Sequence, residues 1–132
     1  YTLAAEQGHT ESQFILGQVY EAGDAVPKDY ETAVKWYTLA AEQGDIEAQT
    51  RLGLVYAYGG IAPQNDQEAV KWYTLAAEQG HTESQFILGQ VYEAGDAVPK
   101  DHETAIKWYT LAAEQGHAEA KSNLFLSLLG GE

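Results

Sequence analysis

The sequence contains no cysteine and no methionine, and only three of its 132 residues are proline. The absence of cysteine excludes disulfides, thiolate zinc sites and a cysteine nucleophile, but it leaves the cellular compartment open. Long apolar runs are also absent, because none approaches the roughly 20 residues that span a bilayer. No basic segment followed by an apolar one opens the chain. Since there is no initiator methionine and the chain begins inside a repeat, we expect it to be a piece of a longer protein, which could carry a targeting signal elsewhere.

Basic residues are also scarce, since 7 lysines and arginines stand against 20 aspartates and glutamates, giving a formal net charge of -13 at pH 7. Nucleic acids and anionic membrane surfaces bind to basic patches, so neither nucleic-acid binding nor membrane insertion is predicted. The acidic surface is compatible with a basic protein or peptide as the partner. The alternative is that the charge serves solubility alone.

The sequence is dominated by an internal repeat. A tryptophan followed by a tyrosine recurs every 36 residues, at Trp36, Trp72 and Trp108. The octet Tyr-Thr-Leu-Ala-Ala-Glu-Gln-Gly begins at residues 1, 37, 73 and 109. Residues 1–29 are identical to residues 73–101, so a second period of two repeats lies over the first. Such periods are typical of stacked helical repeats, and the alternation indicates duplication of a two-repeat unit.

Each repeat predicts two helices. Helix A runs from about Thr10 to Glu21, with Leu16 and Tyr20 on one buried face. Gly17 on that face would let a neighbouring backbone approach closely. After a loop, helix B runs to about Gln43. Its predicted buried stripe is Ala33, Trp36, Tyr37, Ala40 and Ala41.

Capping residues mark the ends of these helices. The predicted N-caps of the three complete helices B are Asp29, Asn65 and Asp101. Gly44 stands where a left-handed residue would end helix B, and Asp45 would then cap the next helix A. The local signals therefore agree with the helical period.

One helix pair cannot bury its apolar face alone, whereas a stack of pairs buries a continuous core. We therefore predict an all-α fold, a right-handed superhelical solenoid of stacked antiparallel helix pairs, as a single domain over residues 1–132. Its predicted parts are a partial helix B at 1–8, repeats at about 9–44, 45–80 and 81–116, and a terminal helix at 117–130.

The residues that recur within one repeat are Ser12, Leu16, Gly17, Tyr20, Gly23, Val26, Asp29, Ala33, Trp36, Tyr37, Ala40, Ala41 and Gly44. This pattern resembles the Sel1-like repeat, in the tetratricopeptide-related superfamily, over nearly the whole chain. Tetratricopeptide repeats themselves are the nearest alternative, but their period is about 34 residues and they favour tryptophan where this chain has Gln13. The resemblance implies a non-enzymatic scaffold or adaptor for protein–protein interaction.

A partner-binding surface is predicted on the helices A, which usually line the concave face of such stacks. Phe14, Gln18 and Glu21 are spaced along a stripe away from the predicted core face. Equivalent positions differ between adjacent repeats, as expected of a recognition surface. The predicted apolar anchors are Phe14, Leu54, Tyr58 and Phe86, and the predicted polar contacts are Gln18, Glu21, Gln90 and Glu93. The alternative is that Phe14 and Phe86 pack between neighbouring helices A.

A second hypothesis is head-to-tail self-assembly. The chain begins with half of a helix B and ends with an unpaired helix A, so its open ends could complement each other. The terminal helix is unusually apolar, and its predicted contacts are Leu124, Phe125 and Leu128. The alternative is that this helix is a terminal cap.

The sequence predicts neither a metal site nor a cofactor. His9, His81 and His117 share one repeat position, and repeats spaced roughly 10 Å apart do not converge their ligands on one ion. A hydrolase-like activity is the third and least favoured interpretation. Thr32 and Lys35 have the spacing of a Ser-x-x-Lys motif, but threonine replaces the serine and the companion motifs are absent.

Overall fold

A computed structural model describes residues 5–23, 27–59, 62–95 and 97–130. Within these ranges the chain forms seven α-helices and no strand, which confirms the predicted all-α repeat solenoid. Helices α1, α3, α5 and α7 are helices A, and α2, α4 and α6 are helices B. Their bounds are α1 Thr10–Ala22, α2 Tyr30–Glu42, α3 Ile46–Tyr58, α4 Asp66–Glu78, α5 Thr82–Ala94, α6 His102–Glu114 and α7 Ala118–Gly130.

The connection from helix A to helix B is held by backbone hydrogen bonds. Helix α1 ends at Gly23, whose φ of 75° lies in the left-handed region that glycine adopts without strain. The N–H of Asp29 then reaches back to the carbonyl of Tyr20 at 3.0 Å. Asp29 also caps α2, because its side chain accepts the N–H of Thr32 at 3.1 Å. The predicted caps Asn65 and Asp101 make the equivalent bonds, so all three predictions are confirmed.

The connection from helix B to helix A is tighter. Gly44 has a φ of 98°, and the N–H of Asp45 bonds to the carbonyl of Ala40 at 3.2 Å. The Asp45 carboxylate accepts the N–H of Ala48 at 3.1 Å and so begins α3. Because only three residues separate α2 from α3, the two helices lie against each other. The predictions for Gly44 and Asp45 are confirmed.

The described contacts group the chain into two compact units, Tyr1–Trp72 and Tyr73–Glu132. In the first unit, Tyr37 and Leu52 are fully buried among alanines of α2 and α3. In the second unit, Phe86 and Tyr109 lie with Ala105, Ala112 and Ala120. The small alanines let the helices approach closely, and the aromatic rings fill the space between them.

Candidate partner-binding surfaces

Helix A packs on helix B through a glycine in each unit. A Cβ built on Gly17 would lie 2.6 Å from the ring of Tyr37, and one on Gly89 would lie 2.5 Å from the ring of Tyr109. No side chain fits at that distance without displacing the ring. The prediction that Gly17 allows a close approach is confirmed, although its neighbour is an aromatic ring and not a backbone.

Glu21 lies at the junction of three helices in the first unit. The hydroxyl of Tyr37 donates to its carboxylate at 2.6 Å. The guanidinium of Arg51, on α3, forms an ion pair with the same carboxylate, and its Nε donates at 3.1 Å. Burial raises the pKa of Tyr37 to about 12, because the phenolate would lose hydration. The carboxylate predicted to contact a partner is thus bonded within its own unit.

Glu93 occupies the equivalent place in the second unit but has different partners. The hydroxyl of Tyr109 donates to it at 2.8 Å, and the hydroxyl of Ser127 donates at 2.6 Å. Asn123 donates to the Tyr109 oxygen at 3.4 Å. Burial raises the pKa of Tyr109 to about 12, and the hydrogen bond to Glu93 acts in the same direction. Glu93 therefore connects α5 to α6 and α7 by hydrogen bonds.

A buried glutamine on each of three helices A donates to a backbone carbonyl eight residues earlier in the chain. The amide of Gln13 donates to the carbonyl of Ala5 at 3.0 Å, and Gln49 and Gln85 donate to Ala41 and Ala77 at 3.1 Å. The carbonyls of Ala41 and Ala77 lie in the last turns of α2 and α4, where the N–H donor four residues later in the helix is missing. The helical period alone predicts no role for these glutamines. Their recurrence at one position of the buried face is the signal that could have revealed it.

The two phenylalanines predicted as anchors differ in burial. Phe86 is only 5% exposed, its ring centroid lies 4.4 Å from that of His117 in a stacked arrangement, and it also contacts Tyr109. The prediction of Phe86 as an exposed anchor is corrected, because the next repeat covers this face of α5. Phe14 is half-buried, with its ring centroid 5.5 Å from that of Tyr37. Both rings therefore contact a tyrosine of helix B, and Phe86 also contacts His117, the cap of the next helix A, whereas the packing alternative had placed both rings between helices A.

The remaining predicted contact residues are open to solvent. On α3, Tyr58 is 79% exposed and Leu54 is 40% exposed. The two residues are four positions apart, so they share one face of the helix. Gln18 on α1 and Gln90 on α5 stand at the repeat position of Leu54, and both are exposed. The apolar part of the predicted surface is thus concentrated on α3.

The terminal helix α7 has a second apolar surface, formed by Phe125, Leu126, Leu128 and Leu129. Each of these side chains is between 59% and 67% exposed. Leu124 differs, because it packs against the core of its own unit. Phe125 stands at the repeat position of Gly17 and Gly89, so its side chain takes the space that a tyrosine ring from a helix B would need.

The recurring histidines are helix caps. The ring nitrogen Nδ1 of His9, His81 and His117 lies at the start of α1, α5 and α7, where it accepts a backbone N–H. In the described part of the chain, no cluster of three or more histidines and carboxylates is arranged to hold a metal ion. No helix in the described ranges is both long and apolar enough to cross a bilayer.

These features define a class, the all-α helical repeat solenoids, in which small residues admit aromatic rings between short helices. Within this class, the sequence model of the Sel1 repeat family matches residues 1–9, 10–45, 46–81 and 82–117. The chain therefore belongs to the Sel1 repeat family. Proteins of this family typically act as non-catalytic scaffolds for protein–protein interaction.

Solved structures of similar proteins agree with this assignment. A Sel1 repeat protein from Oxalobacter formigenes is 36% identical, with a TM-score of 0.84 over 93% of this chain and 92% of that chain. The protein c5321, a protective antigen of uropathogenic Escherichia coli, is 44% identical with a TM-score of 0.79 over 89% of this chain. The match covers 25% of the antigen's own length. Cysteine-rich protein B of Helicobacter pylori, 23% identical over 73% of this chain and 72% of its own, shares the fold with a TM-score of 0.67. Among curated protein sequences, none matches the chain significantly.

Proposed function

We propose that the chain is a non-enzymatic scaffold that binds a protein or peptide on the surface of its helices A, with Leu54 and Tyr58 as the apolar anchors. The observation that carries this proposal is the 79% exposure of Tyr58, a large aromatic side chain one helical turn from a second exposed apolar residue. Amphipathic aromatic side chains beside aliphatic ones are common at the centres of protein interfaces. Gln18, on the neighbouring helix A of the same unit, supplies a polar contact.

The charge of the chain favours a basic partner. The net charge of -13 would attract lysine-rich and arginine-rich peptides and repel acidic ones. Glu21 is not counted among the binding carboxylates because Arg51 and Tyr37 already engage it. The proposed ligand is therefore a peptide with an apolar anchor for the Leu54–Tyr58 face and flanking basic residues.

Peptide display gives a direct test. A randomised library is selected on immobilised wild-type protein and depleted on a Leu54→Ala/Tyr58→Ser variant whose circular dichroism matches the wild type. We expect enriched peptides that combine basic residues with an apolar anchor and bind the wild type at least tenfold more tightly than the variant. Their binding should also weaken between 50 and 300 mM salt.

A matched control distinguishes this face from other exposed residues. Gln67→Ala changes an exposed residue of α4, a helix B, and so lies outside the surface predicted on the helices A. Peptides that lose affinity for Leu54→Ala/Tyr58→Ser and keep it for Gln67→Ala support the assignment to α3. Peptides that bind all three proteins equally would place the site elsewhere, and a selection without enrichment would count against peptide binding.

A second candidate function is self-association through the terminal helix, for which the exposed apolar surface of α7 is the supporting observation. Four large side chains at 59–67% exposure form a surface of the kind that proteins usually cover. A contact that copied the internal stacking would bring a tyrosine against Phe125, where the repeats have glycine. The contact between copies would therefore differ from the stacking between repeats.

Sedimentation velocity over a hundredfold range of concentration tests this second candidate. We expect a concentration-dependent rise in sedimentation coefficient that Phe125→Glu abolishes while the protein stays folded. Gln90→Glu, which adds the same charge at an exposed site outside α7, serves as the control. A single monomeric species at all concentrations would exclude self-association through α7.

A further inference from the structure

Three helices A begin with a histidine at a position where the fourth begins with an aspartate. In the described structure, the imidazole of His9 lies with Nδ1 at 3.2 Å from the backbone nitrogen of Ser12. The other caps make the same kind of bond. Nδ1 of His81 lies 3.2 Å from the nitrogen of Ser84, Nδ1 of His117 lies 3.0 Å from that of Ala120, and Oδ1 of Asp45 lies 3.1 Å from that of Ala48.

These contacts determine which ring nitrogen carries the proton. A backbone N–H only donates, so Nδ1 must offer a lone pair and the proton of the neutral ring must be on Nε2. The hydroxyls of Ser12 and Ser84, at 2.9 and 2.8 Å from the same nitrogens, then also donate to them. The cap therefore exists only while the imidazole is neutral.

We propose that protonation of His9 and His81 opens these caps, so that α1 and α5 loosen in mildly acidic solution while the Asp45-capped α3 stays closed. A protonated Nδ1 places an N–H donor against another donor. It also places a positive charge at the helix end where the backbone dipole is already positive. Histidine changes its charge between about pH 5 and 8, whereas aspartate remains an ionised acceptor over most of that range.

His117 is the exception among the three histidines. Its Nε2 lies 3.0 Å from the carboxylate of Glu83, and its ring is stacked on Phe86. Protonation of His117 would convert the Nε2 contact into an ion pair and so compensate for part of the lost cap. The cap of α7 is therefore the least acid-sensitive of the three.

The other charged groups around these caps are almost all exposed carboxylates at helix ends. Such groups attract an imidazolium weakly through solvent, but they do not restore the lost acceptor for the backbone N–H. In the sequence, His9 is flanked by Glu6 and Glu11, His81 by Glu78 and Glu83, and His117 by Glu114, Glu119 and the cation Lys121. Glu83 also faces His117 from α5.

Amide hydrogen exchange tests the proposal within one molecule. After correction for intrinsic exchange rates, the Ser12 and Ser84 amides should lose about fivefold to tenfold more protection than the Ala48 amide between pH 7.5 and 5.5. Equal changes at the three amides would overturn the proposal. So would nitrogen-15 spectra that show the proton of the neutral imidazoles of His9 and His81 on Nδ1.

Variants in which the histidine and aspartate caps are exchanged test the proposal through thermal stability. His9→Asp/His81→Asp places at both positions the residue that already caps α3, so the variant should fold and its Tm should fall less on acidification than that of the wild type. Asp45→His should leave Tm nearly unchanged at pH 7.5 and lower it by several more degrees at pH 5.5. Parallel Tm curves for all three proteins would show that the histidine caps do not sense acid.

Discussion

Helices α1 and α5 have identical sequences but different surroundings. Phe14 in α1 is half-buried, whereas Phe86 in α5 is 5% exposed under the ring of His117. The cap of the next helix A is Asp45 after the first repeat and His117 after the third, so only Phe86 gains a stacking partner.

The carboxylates at the other end of these helices differ in the same way. Glu21 is paired with the cation Arg51, whereas Glu93 accepts a hydrogen bond from the neutral Ser127. Both partners lie on the next helix A. In this repeat protein, the burial and electrostatics of a helix A therefore depend on the repeat that follows it as much as on its own sequence.

Truncation of the two phenylalanines should show the largest effect of the following repeat on a helix A. Phe86→Ala should destabilise the fold by about 3–5 kcal/mol, because it removes a buried ring and leaves a cavity beside Tyr109. Phe14→Ala should cost about 1–2 kcal/mol less, since part of its ring already contacts water. Urea unfolding followed by circular dichroism measures both.

The stacking partner can be changed independently of the phenylalanine. With His117→Asp, the third repeat is followed by the same residue as the first, and the cost of Phe86→Ala should fall towards that of Phe14→Ala. Equal costs for the two truncations in the wild-type background would mean that the following repeat does not set the environment of helix A.

Alkaline pH should have the next largest effect, through Tyr37 and Tyr109. Their pKa values in the folded state are raised to about 12, while unfolded tyrosine ionises near 10, so their stabilisation is present below pH 10 and is lost as pH rises towards 12. A pKa rise from about 10 to about 12 corresponds to a loss of about 2.7 kcal/mol per tyrosine once the pH exceeds both values, and about half of this is lost by pH 11.

Urea unfolding at pH 8.5 and 11 measures this loss. Tyr37→Phe and Tyr109→Phe should each lower stability at pH 8.5, because the hydrogen bond to Glu21 or Glu93 is lost, but each should reduce the further loss at pH 11. Tyr58→Phe, at a 79% exposed position, is the control and should leave the alkaline loss unchanged. If Tyr37→Phe behaves like this control, burial of Tyr37 does not govern its ionisation.

Substitution of the packing glycine should lower stability by the same amount in α1 and in α5. Gly17→Ala and Gly89→Ala both place a Cβ against a tyrosine ring, at 2.6 and 2.5 Å. Overpacking costs about 1–3 kcal/mol, and the better helix propensity of alanine returns up to about 1 kcal/mol. We expect a similar net loss of about 1–2 kcal/mol for both, measured by urea unfolding, because each clash lies within its own repeat.

A double-mutant cycle verifies the cause of this loss. Tyr37→Leu removes the ring, so Gly17→Ala should cost much less in that background than in the wild type. Additive costs would show that the alanine acts through something other than the ring, and a large difference between Gly17→Ala and Gly89→Ala would extend the comparison to this contact as well.

The dependence on the following repeat also explains which features could be predicted from the sequence and which could not. The caps Asp29 and Asp45, the turn at Gly44 and the close approach at Gly17 were predictable, because each depends on a few neighbouring residues or on one helix pair. The burial of Phe86 and the bonds of Glu93 depend on His117 and Ser127, which lie about 30 residues away. The helical period showed which residues share a face, but it did not show how far a neighbouring repeat covers that face.

The smallest expected effect concerns the ion pair that distinguishes Glu21 from Glu93. Arg51→Asn gives α3 the residue that α7 has at the equivalent position, Asn123, and so replaces a charged partner of Glu21 with a neutral one. Because both side chains of the pair are partly exposed, the loss of stability should be only about 0.5–1 kcal/mol at low salt. It should shrink in 0.5 M salt, where the ion pair is screened.

Ser127→Ala is the matched control in the second unit. It removes a neutral hydrogen bond to Glu93, so its cost should be independent of salt. Urea unfolding of the wild type and both variants at 0.02 and 0.5 M sodium chloride gives the two salt dependences. If the cost of Arg51→Asn is as insensitive to salt as that of Ser127→Ala, the charge of Arg51 contributes nothing and the two carboxylates are equivalent despite their different partners.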